Sequence, residues 1–367
     1  GSPKHAKKFS DLTNSKWLRV SKPFVFKGVK KVLQGKKTIV VGDKYLTDGL
    51  FALNLKADFI KVERVLSGRE SLKTRITYFL DDFVWKIKPY ITLVRPWQWV
   101  KNLLVLAPVF FAGKFFVYSD LYNALLAVLI FTIFSSSVYI LNDILDHKED
   151  STHPIKKNRP VASSQISVKS AYLFGFILLI FGFTLTSFLT SVVYIIIIYL
   201  FLNMIYSLYL KRVAVIEFVV VASFYVLRII AGGIAVPVYI SPWIILCVFF
   251  GSLFVVIGKR RSEFSRSNRR EVLESYSERA LDLVFISSAI SALVIYAIWS
   301  VLEHNSPYLV YSTVFVCIAL FRLLNLIYNE SSHGESPEVL VFKDRYIFLS
   351  FVSWLIYVSF VFYLSIR

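Results

Sequence analysis

The chain has 367 residues, 56% of them hydrophobic and only 18% charged, yet it carries a formal net charge of +18. So little charge with so much apolar content excludes an ordinary soluble domain, and the many apolar runs near ~20 residues point to a polytopic helical membrane protein. The excess of Lys and Arg suits anionic headgroups and phosphorylated substrates, so nucleic acid is not the expected partner. Cys247 and Cys317 both fall inside apolar runs, which gives neither a metal spacing nor a disulfide framework. Gly1-Ser2 reads as a cloning remnant or the cut edge of a longer protein, and no secretory pattern follows.

Residues 1–66 are basic and only moderately apolar. Lys37-Lys-Thr-Ile-Val-Val41 and Ala57-Asp-Phe-Ile-Lys-Val62 read as strands, separated by Gly42-Asp-Lys-Tyr-Leu-Thr-Asp48 and a helix. This order resembles the C-terminal part of a haloacid-dehalogenase-like phosphatase. The resemblance implies that Asp43 and Asp48 hold Mg²⁺ and that Lys22, before Pro23, meets phosphate. The Asp-x-Asp nucleophile of that family is absent, so the expectation is a truncated α/β fragment without phosphatase activity.

Residues 67–94 form a connector. Leu72, Ile76, Phe79, Leu80, Phe83 and Ile87 recur at helical spacing with Lys73, Arg75, Lys86 and Lys88 among them. The pattern fits an amphipathic helix at a membrane interface; the alternative is a soluble core helix.

Residues 95–367 hold about nine apolar spans, near 100–118, 121–141, 170–189, 191–210, 214–236, 242–258, 281–302, 308–328 and 346–366. Connections after the even-numbered spans are rich in Lys and Arg, and the others hold almost none. The positive-inside rule therefore predicts a multi-pass inner-membrane protein with a cytoplasmic N-terminal region and its C-terminus outside. The fold expected is an all-α membrane protein around a cytoplasm-facing cavity, preceded by the small α/β fragment.

The most informative stretch is Asn142 to Gln165, directly after an apolar run. Asp143, Asp146 and Asp150 are spaced by three and four, which puts them on one face of a helix. Clustered carboxylates repel unless neutralised, and Mg²⁺ characteristically takes carboxylates together with substrate phosphate oxygens. Lys156, Lys157 and Arg159 follow, cations suited to the rest of an anionic substrate. A solvated mixed-charge loop is the plain alternative, but acids continuous with a membrane helix point to function.

Asn142-Asp-x-x-Asp-x-x-x-Asp150 resembles the first aspartate-rich motif of the UbiA superfamily of intramembrane prenyltransferases. Arg95-Pro-Trp-Gln-Trp-Val-Lys-Asn102, His153-Pro-Ile-Lys-Lys-Asn-Arg-Pro160, Tyr206-Ser-Leu-Tyr-Leu-Lys211, Gly258-Lys-Arg-Arg-Ser-Glu263 and the stretch from Gly334 to Arg345 resemble its decaprenyl-phosphate phosphoribosyltransferase branch. The superfamily's second acidic motif is replaced after span six by a basic loop in which Glu263 is the only acid. The resemblance implies transfer of 5-phosphoribosyl from phosphoribosyl diphosphate (PRPP) to a polyprenyl phosphate, for cell-envelope precursors. Asp143, Asp146 and Asp150 would hold Mg²⁺, with Asn142 orienting or joining them. Lys101, Lys156, Lys157, Arg159 and Lys211 would meet the donor's phosphates. Lys259 and Arg260 would take the lipid phosphate or the 5-phosphate. Inside span five, Glu217 would face ribose hydroxyls and Arg228 phosphate, unless both are structural; Tyr206 would bond ribose or phosphate, or be a plain interfacial aromatic. Asp344 and Arg345 would close the cytoplasmic end or be simple loop charges. A prenyl transfer onto an aromatic acceptor and an ion-coupled transporter are the competing functions, and self-association into a homo-oligomer is left open.

Overall fold

The computed structural model describes residues 38–64, 71–154, 156–264, 271–303, 307–329 and 343–366. Lys22-Pro23, Arg266, Arg269, Arg270 and residues 334–342 lie outside them. The chain divides into two compact units, Gly1–Ile91 and Thr92–Arg367.

In the first unit β1 (Ile39–Gly42) pairs in parallel with β2 (Asp58–Lys61), Ile39 opposite Asp58 and Gly42 opposite Lys61. Parallel neighbours need a crossover, and it is a tight turn over Tyr45–Gly49 followed by α1 (Leu50–Leu55). Asp48 is buried and accepts from the Lys44 amide at 3.3 Å. Asp43 pairs with Arg64 at 3.3 Å. The 22-residue helix α2 (Leu72–Leu93) follows. Its buried Asp81 accepts from the Leu46 amide at 2.7 Å and from Arg64 at 3.1 Å, while Tyr45, Phe59 and Trp85 pack ring against ring.

In the second unit, eight helices among the described residues are long and apolar enough to cross a membrane. They are built on α4 (Tyr118–Leu145), α6 (Val168–Thr186), α7 (Val193–Leu208), α8 (Ile216–Ala235), α9 (Pro242–Phe264), α10 (Glu278–Leu302), α11 (Thr313–Asn329) and α12 (Arg345–Ile366). Two shorter helices, α3 (Ala107–Phe111) and α5 (His147–Thr152), flank α4. α4 is the most buried of the eight. Phe131 and Phe134 of α4 pack with Tyr199 of α7 and Phe224 of α8 in one core. Phe254 of α9 stacks on Phe285 of α10 at 4.7 Å in a second, completed by Leu326 and Ile327 of α11.

The first expected span, 100–118, is not a single α-helix. Residues Pro96–Leu106 wind as a 3₁₀ helix, α3 follows, and the chain ends the run with Gly113 left-handed at φ 66° and a turn at Lys114–Phe116. Pro96 and Pro108 lack the amide that an unbroken ladder needs. The segment nevertheless travels the whole length of α4 in the opposite direction. Arg95 meets Asp143 near α4's C-terminal end, Asn102 meets Thr132 and Ser135 midway at 3.1 Å each, and Lys114 meets Asp120 at its N-terminal end at 3.7 Å. A 3₁₀ helix rises ~2.0 Å per residue against ~1.5 Å in an α-helix, so 11 residues of one and 5 of the other reach ~30 Å, a bilayer's hydrocarbon thickness. A Cβ on Gly232 would stand 2.1 Å from the Val105 carbonyl, so only glycine lets α8 and this segment approach so closely.

Two helices run past their expected ends. α4 has 28 residues, ~42 Å of helix, so its last turn carries Asn142 and Asp143 beyond the hydrocarbon thickness. α9 continues to Phe264, so Lys259 and Arg260 sit on its last turns rather than in a loop.

Candidate active site

The helix carrying the acidic motif breaks within it. Asp146 (φ −91°, ψ 1°) ends α4 and α5 starts at His147. The three aspartates therefore do not share one continuous helix face. Asp143 from α4 and Asp150 from α5, both buried, converge on a single nitrogen: Arg159 Nη1 donates to Asp143 Oδ1 at 3.1 Å and to Asp150 Oδ2 at 2.6 Å. Asp146 is turned away, accepting from Lys211 Nζ at 2.6 Å. Lys156 stands 3.8 Å from Asp150. Arg95 donates to the same Asp143 oxygen and lies over the Tyr139 ring. Three carboxylates thus face four cations.

The backbone is shaped for this. Arg95 is left-handed (φ 52°), which disfavours a non-glycine residue by about 1–2 kcal/mol, at the head of the 3₁₀ segment that meets Asp143. Lys156 and Arg159 come from a turn at Lys156–Asn158, where the Lys156 amide donates to His153 Nδ1 at 3.3 Å. Burial, then the nearby Lys156 charge, hold the His153 imidazole below its ordinary pKa, so it is neutral near pH 7. Lys157 is exposed on the same turn. Asn142 accepts a 2.6 Å bond from Ser207 of α7.

A second cluster holds Glu217 and Arg260. Arg260, almost fully buried, donates to Glu217 at 3.3 Å and to Glu263 at 3.0 Å. Its charge is offset by two carboxylates, so Arg260 and Glu217, expected to meet phosphate and ribose, are each other's partner in this structure. Lys259 beside it is half-buried. Tyr206 packs edge-on against Phe224 at 5.9 Å.

Arg228 is separate from both clusters. It donates to Asn102 Oδ1 at 2.8 Å and to the Phe224 carbonyl at 2.6 Å, among the rings of Phe131, Tyr199 and Tyr225. Among the described residues no carboxylate pairs with it, so Glu217 and Arg228 are not an ion pair. Lys101 Nζ lies 5.7 Å over the same Tyr225 ring. Asp344 is structural: it caps α12 by accepting from the Tyr346 and Ile347 amides at 3.0 Å each, and it pairs with Arg322 at 2.9 Å.

Sequence reasoning gave no site role to Arg95, Asn102, Ser207 or Glu263. Arg95 and Asn102 bound the Arg-Pro-Trp-Gln-Trp-Val-Lys-Asn motif, and Glu263 was visible as the lone acid in a basic run. Nothing local marked Ser207, since its partner is 65 residues away.

No group of three or more His, Cys, Asp or Glu is gathered for one metal ion among the described residues. Asp143 and Asp150 still fit a hard cation: two buried carboxylates already share one point of positive charge, and oxygen is the donor Mg²⁺ prefers.

A bundle of apolar helices with a buried acid-and-base cluster at one end defines a multi-pass membrane protein with a charged site. The UbiA prenyltransferase family profile matches residues 103–352, and the chain belongs to that family. It is 31% identical over 277 residues to decaprenyl-phosphate phosphoribosyltransferase of Mycobacterium tuberculosis, covering 72% of this chain and 91% of that one. It is 29% identical over 286 residues to digeranylgeranylglyceryl phosphate synthase of Methanococcus aeolicus, covering 73% and 97%. In fold it is similar to a UbiA homolog from Archaeoglobus fulgidus bound to GPP and Mg²⁺, with a TM-score of 0.57 at 18% identity, over 74% of this chain and 99% of that one.

Proposed function

We propose that this chain transfers 5-phosphoribosyl from PRPP to a polyprenyl phosphate of decaprenyl type, releasing diphosphate, at the cytoplasmic face of the inner membrane. The observation that carries this reading is the charge balance of the aspartate cluster. The aspartate cluster has one more cation than carboxylate, which suits a polyanionic diphosphate once a metal joins it. In the last turns of α9, where a second acidic motif would ionise a prenyl diphosphate, the chain reads Gly-Lys-Arg-Arg-Ser-Glu. The phosphoribosyltransferase relative at 31% identity supports the same choice.

Asp143 and Asp150 are the residues to hold Mg²⁺, whose role when bound is to neutralise the diphosphate leaving group. Arg95, Arg159, Lys156 and Lys211 exchange their carboxylate partners for diphosphate oxygens, with Lys157 at the entrance. The C1–O bond of ribose breaks and diphosphate leaves with the electron pair; an oxygen of the lipid phosphate forms the new bond to C1. That oxygen is already anionic at neutral pH, so no general base is required. The protein contributes position and fixed charge. Arg228, which among the described residues has no carboxylate partner and lies in an apolar surrounding, is suited to the lipid phosphate or the 5-phosphate, with Lys101 and Lys259 the other candidates.

The second reading is prenyl transfer from a prenyl diphosphate, favoured by the synthase from Methanococcus aeolicus. Purified protein given labelled PRPP and polyprenyl phosphate, with and without Mg²⁺, tests the first reading. Turnover with a labelled prenyl diphosphate and none with PRPP would replace it by the second.

A further inference from the structure

Helix α2 has two faces with different partners. At about 100° per residue, Leu72, Ile76, Phe79, Leu80 and Phe83 fall within an arc of about 100°. All five are exposed, Leu72 at 74% and Phe79 at 69%, and the rings of Phe79 and Phe83 stack at 6.3 Å. Exposed Lys73 borders one edge of the arc; exposed Arg75 and Lys86 border the other. The opposite face is spoken for within its own unit. Tyr78 lies under Lys44 and Arg64, Trp85 packs on Tyr45 and Phe59, and Asp82 accepts from Lys61 at 2.7 Å and Arg64 at 3.1 Å. An apolar stripe this size is more than scattered exposed side chains, and it marks an interaction surface.

We propose that α2 lies in the headgroup interface of an anionic bilayer, apolar stripe down, as a plate whose upper face clamps the α/β unit about one helix diameter (~10 Å) from the lipid surface. Two observations select lipid. The helix ends at Leu93, two residues before Arg95 and the ~30 Å segment that runs antiparallel to the membrane-length α4, so its C-terminal end adjoins chain long enough to cross a bilayer. The stripe is bordered on both sides by cations at the level where anionic headgroups sit, the arrangement of helices that lie in the interface plane. The clamp is polar: Lys61 and Arg64 of the α/β side meet Asp81 and Asp82 of α2 in four ion pairs. The lipid face and the clamp share no residue, so they are separable by mutation.

The full chain in proteoliposomes tests this, with Cys247 and Cys317 replaced by Ala and a nitroxide placed at Phe79→Cys, Phe83→Cys or Thr77→Cys. Thr77 is exposed but outside the stripe. The expected result is that labels at 79 and 83 collide with oxygen and are shielded from a water-soluble nickel chelate, with the reverse at 77. Replacing anionic by zwitterionic lipid should move both stripe labels toward the nickel reagent, as should the triple variant Lys73→Gln, Arg75→Gln, Lys86→Gln in anionic lipid. Labels at 79 and 83 that match 77 would overturn the proposal. So would labels shielded from both reagents, which would mean that a protein surface covers the stripe, and so would indifference to lipid charge.

Discussion

Replacing Arg159 with Ala probes whether the aspartates are built for a metal. Arg159 Nη1 lies 3.1 Å from Asp143 Oδ1 and 2.6 Å from Asp150 Oδ2, so these oxygens are less than about 6 Å apart. At an effective dielectric near 20, like charges at ~6 Å repel by about 3 kcal/mol. Both carboxylates are almost fully buried and Arg159 only partly exposed, so solvent screens little of this. Arg95 on Asp143 and Lys156 at 3.8 Å from Asp150 remain and offset part of it. The expected loss of stability in chelator is about 2 kcal/mol. Mg²⁺ should reverse the loss, because it takes the position that the guanidinium held. Binding of the folded state alone stabilises by about 2.7 kcal/mol at 100 times Kd. Removing an internal competitor should also tighten Mg²⁺ binding without diphosphate by about tenfold, while turnover falls because a phosphate ligand is lost. Thermal melting with chelator or Mg²⁺, and calorimetric titration of Mg²⁺, are the assays. If the variant melts with the wild type in chelator and binds Mg²⁺ no better, Arg159 is not the counter-ion of this pair and the two-carboxylate metal site is wrong.

Asp143→Asn should leave the fold intact in Mg²⁺ and lower activity to less than about a tenth, more than ~1.4 kcal/mol of transition-state stabilisation; a higher rate at unchanged melting temperature argues against a metal role. Glu217→Gln should destabilise by about 3 kcal/mol, since it weakens the buried Arg260 pair, while Glu217→Gln with Arg260→Met should recover most of that; a double variant as unstable as the single one contradicts the pairing. Cysteines at Phe116, Phe188 and Tyr239 should label from the membrane side opposite to one at Asn158, and labelling of Phe116 together with Asn158 would mean that residues 96–116 turn back without crossing. His153 is held below its ordinary value of ~6.5, so its neutral form favours the fold. That contribution is complete above about pH 6.5 and is lost as pH falls toward the lower folded value, so His153→Gln should flatten the acid side of a stability–pH curve, read as melting temperature against pH.

The fold was legible because lipid imposes a simple rule: apolar runs near twenty residues become helices with all backbone groups satisfied internally. The run at 100–118 was misread as one more such helix. Hydropathy averages over Pro96, Pro108 and Gly113, but those residues control hydrogen bonding locally and make the segment a longer, thinner 3₁₀ path. The aspartates were legible as a cluster through their spacing, yet spacing assumes one continuous helix. The break at Asp146 hands that residue to Lys211, 65 positions away, a contact that no local pattern encodes. The partner of Arg260 was hidden for the opposite reason: a basic run shows its cations but not Glu217, which another helix brings against one of them.

The two buried arginines separate structure from recognition on physical grounds. Arg260 has two carboxylates, which offset its charge and leave little field for a ligand. Arg228 is buried as deeply, but among the described residues it meets no carboxylate, its partners being an amide oxygen, a carbonyl and aromatic side chains, whose attraction falls off steeply with distance. A full positive charge held that way inside an apolar bundle keeps a long-range attraction for anions. Asn102 spends its amide on Thr132 and Ser135 of α4 and its oxygen on Arg228, so one residue of the 3₁₀ segment fixes that cation relative to the helix bearing Asp143. The irregular segment therefore does more than run beside α4: Arg95 at its start touches the acidic cluster, and Asn102 two turns later sets the isolated charge. A regular α-helix, advancing only ~1.5 Å per residue, would carry those seven positions about 3–4 Å less far along α4, so the 3₁₀ geometry itself sets the spacing between the two charged sites.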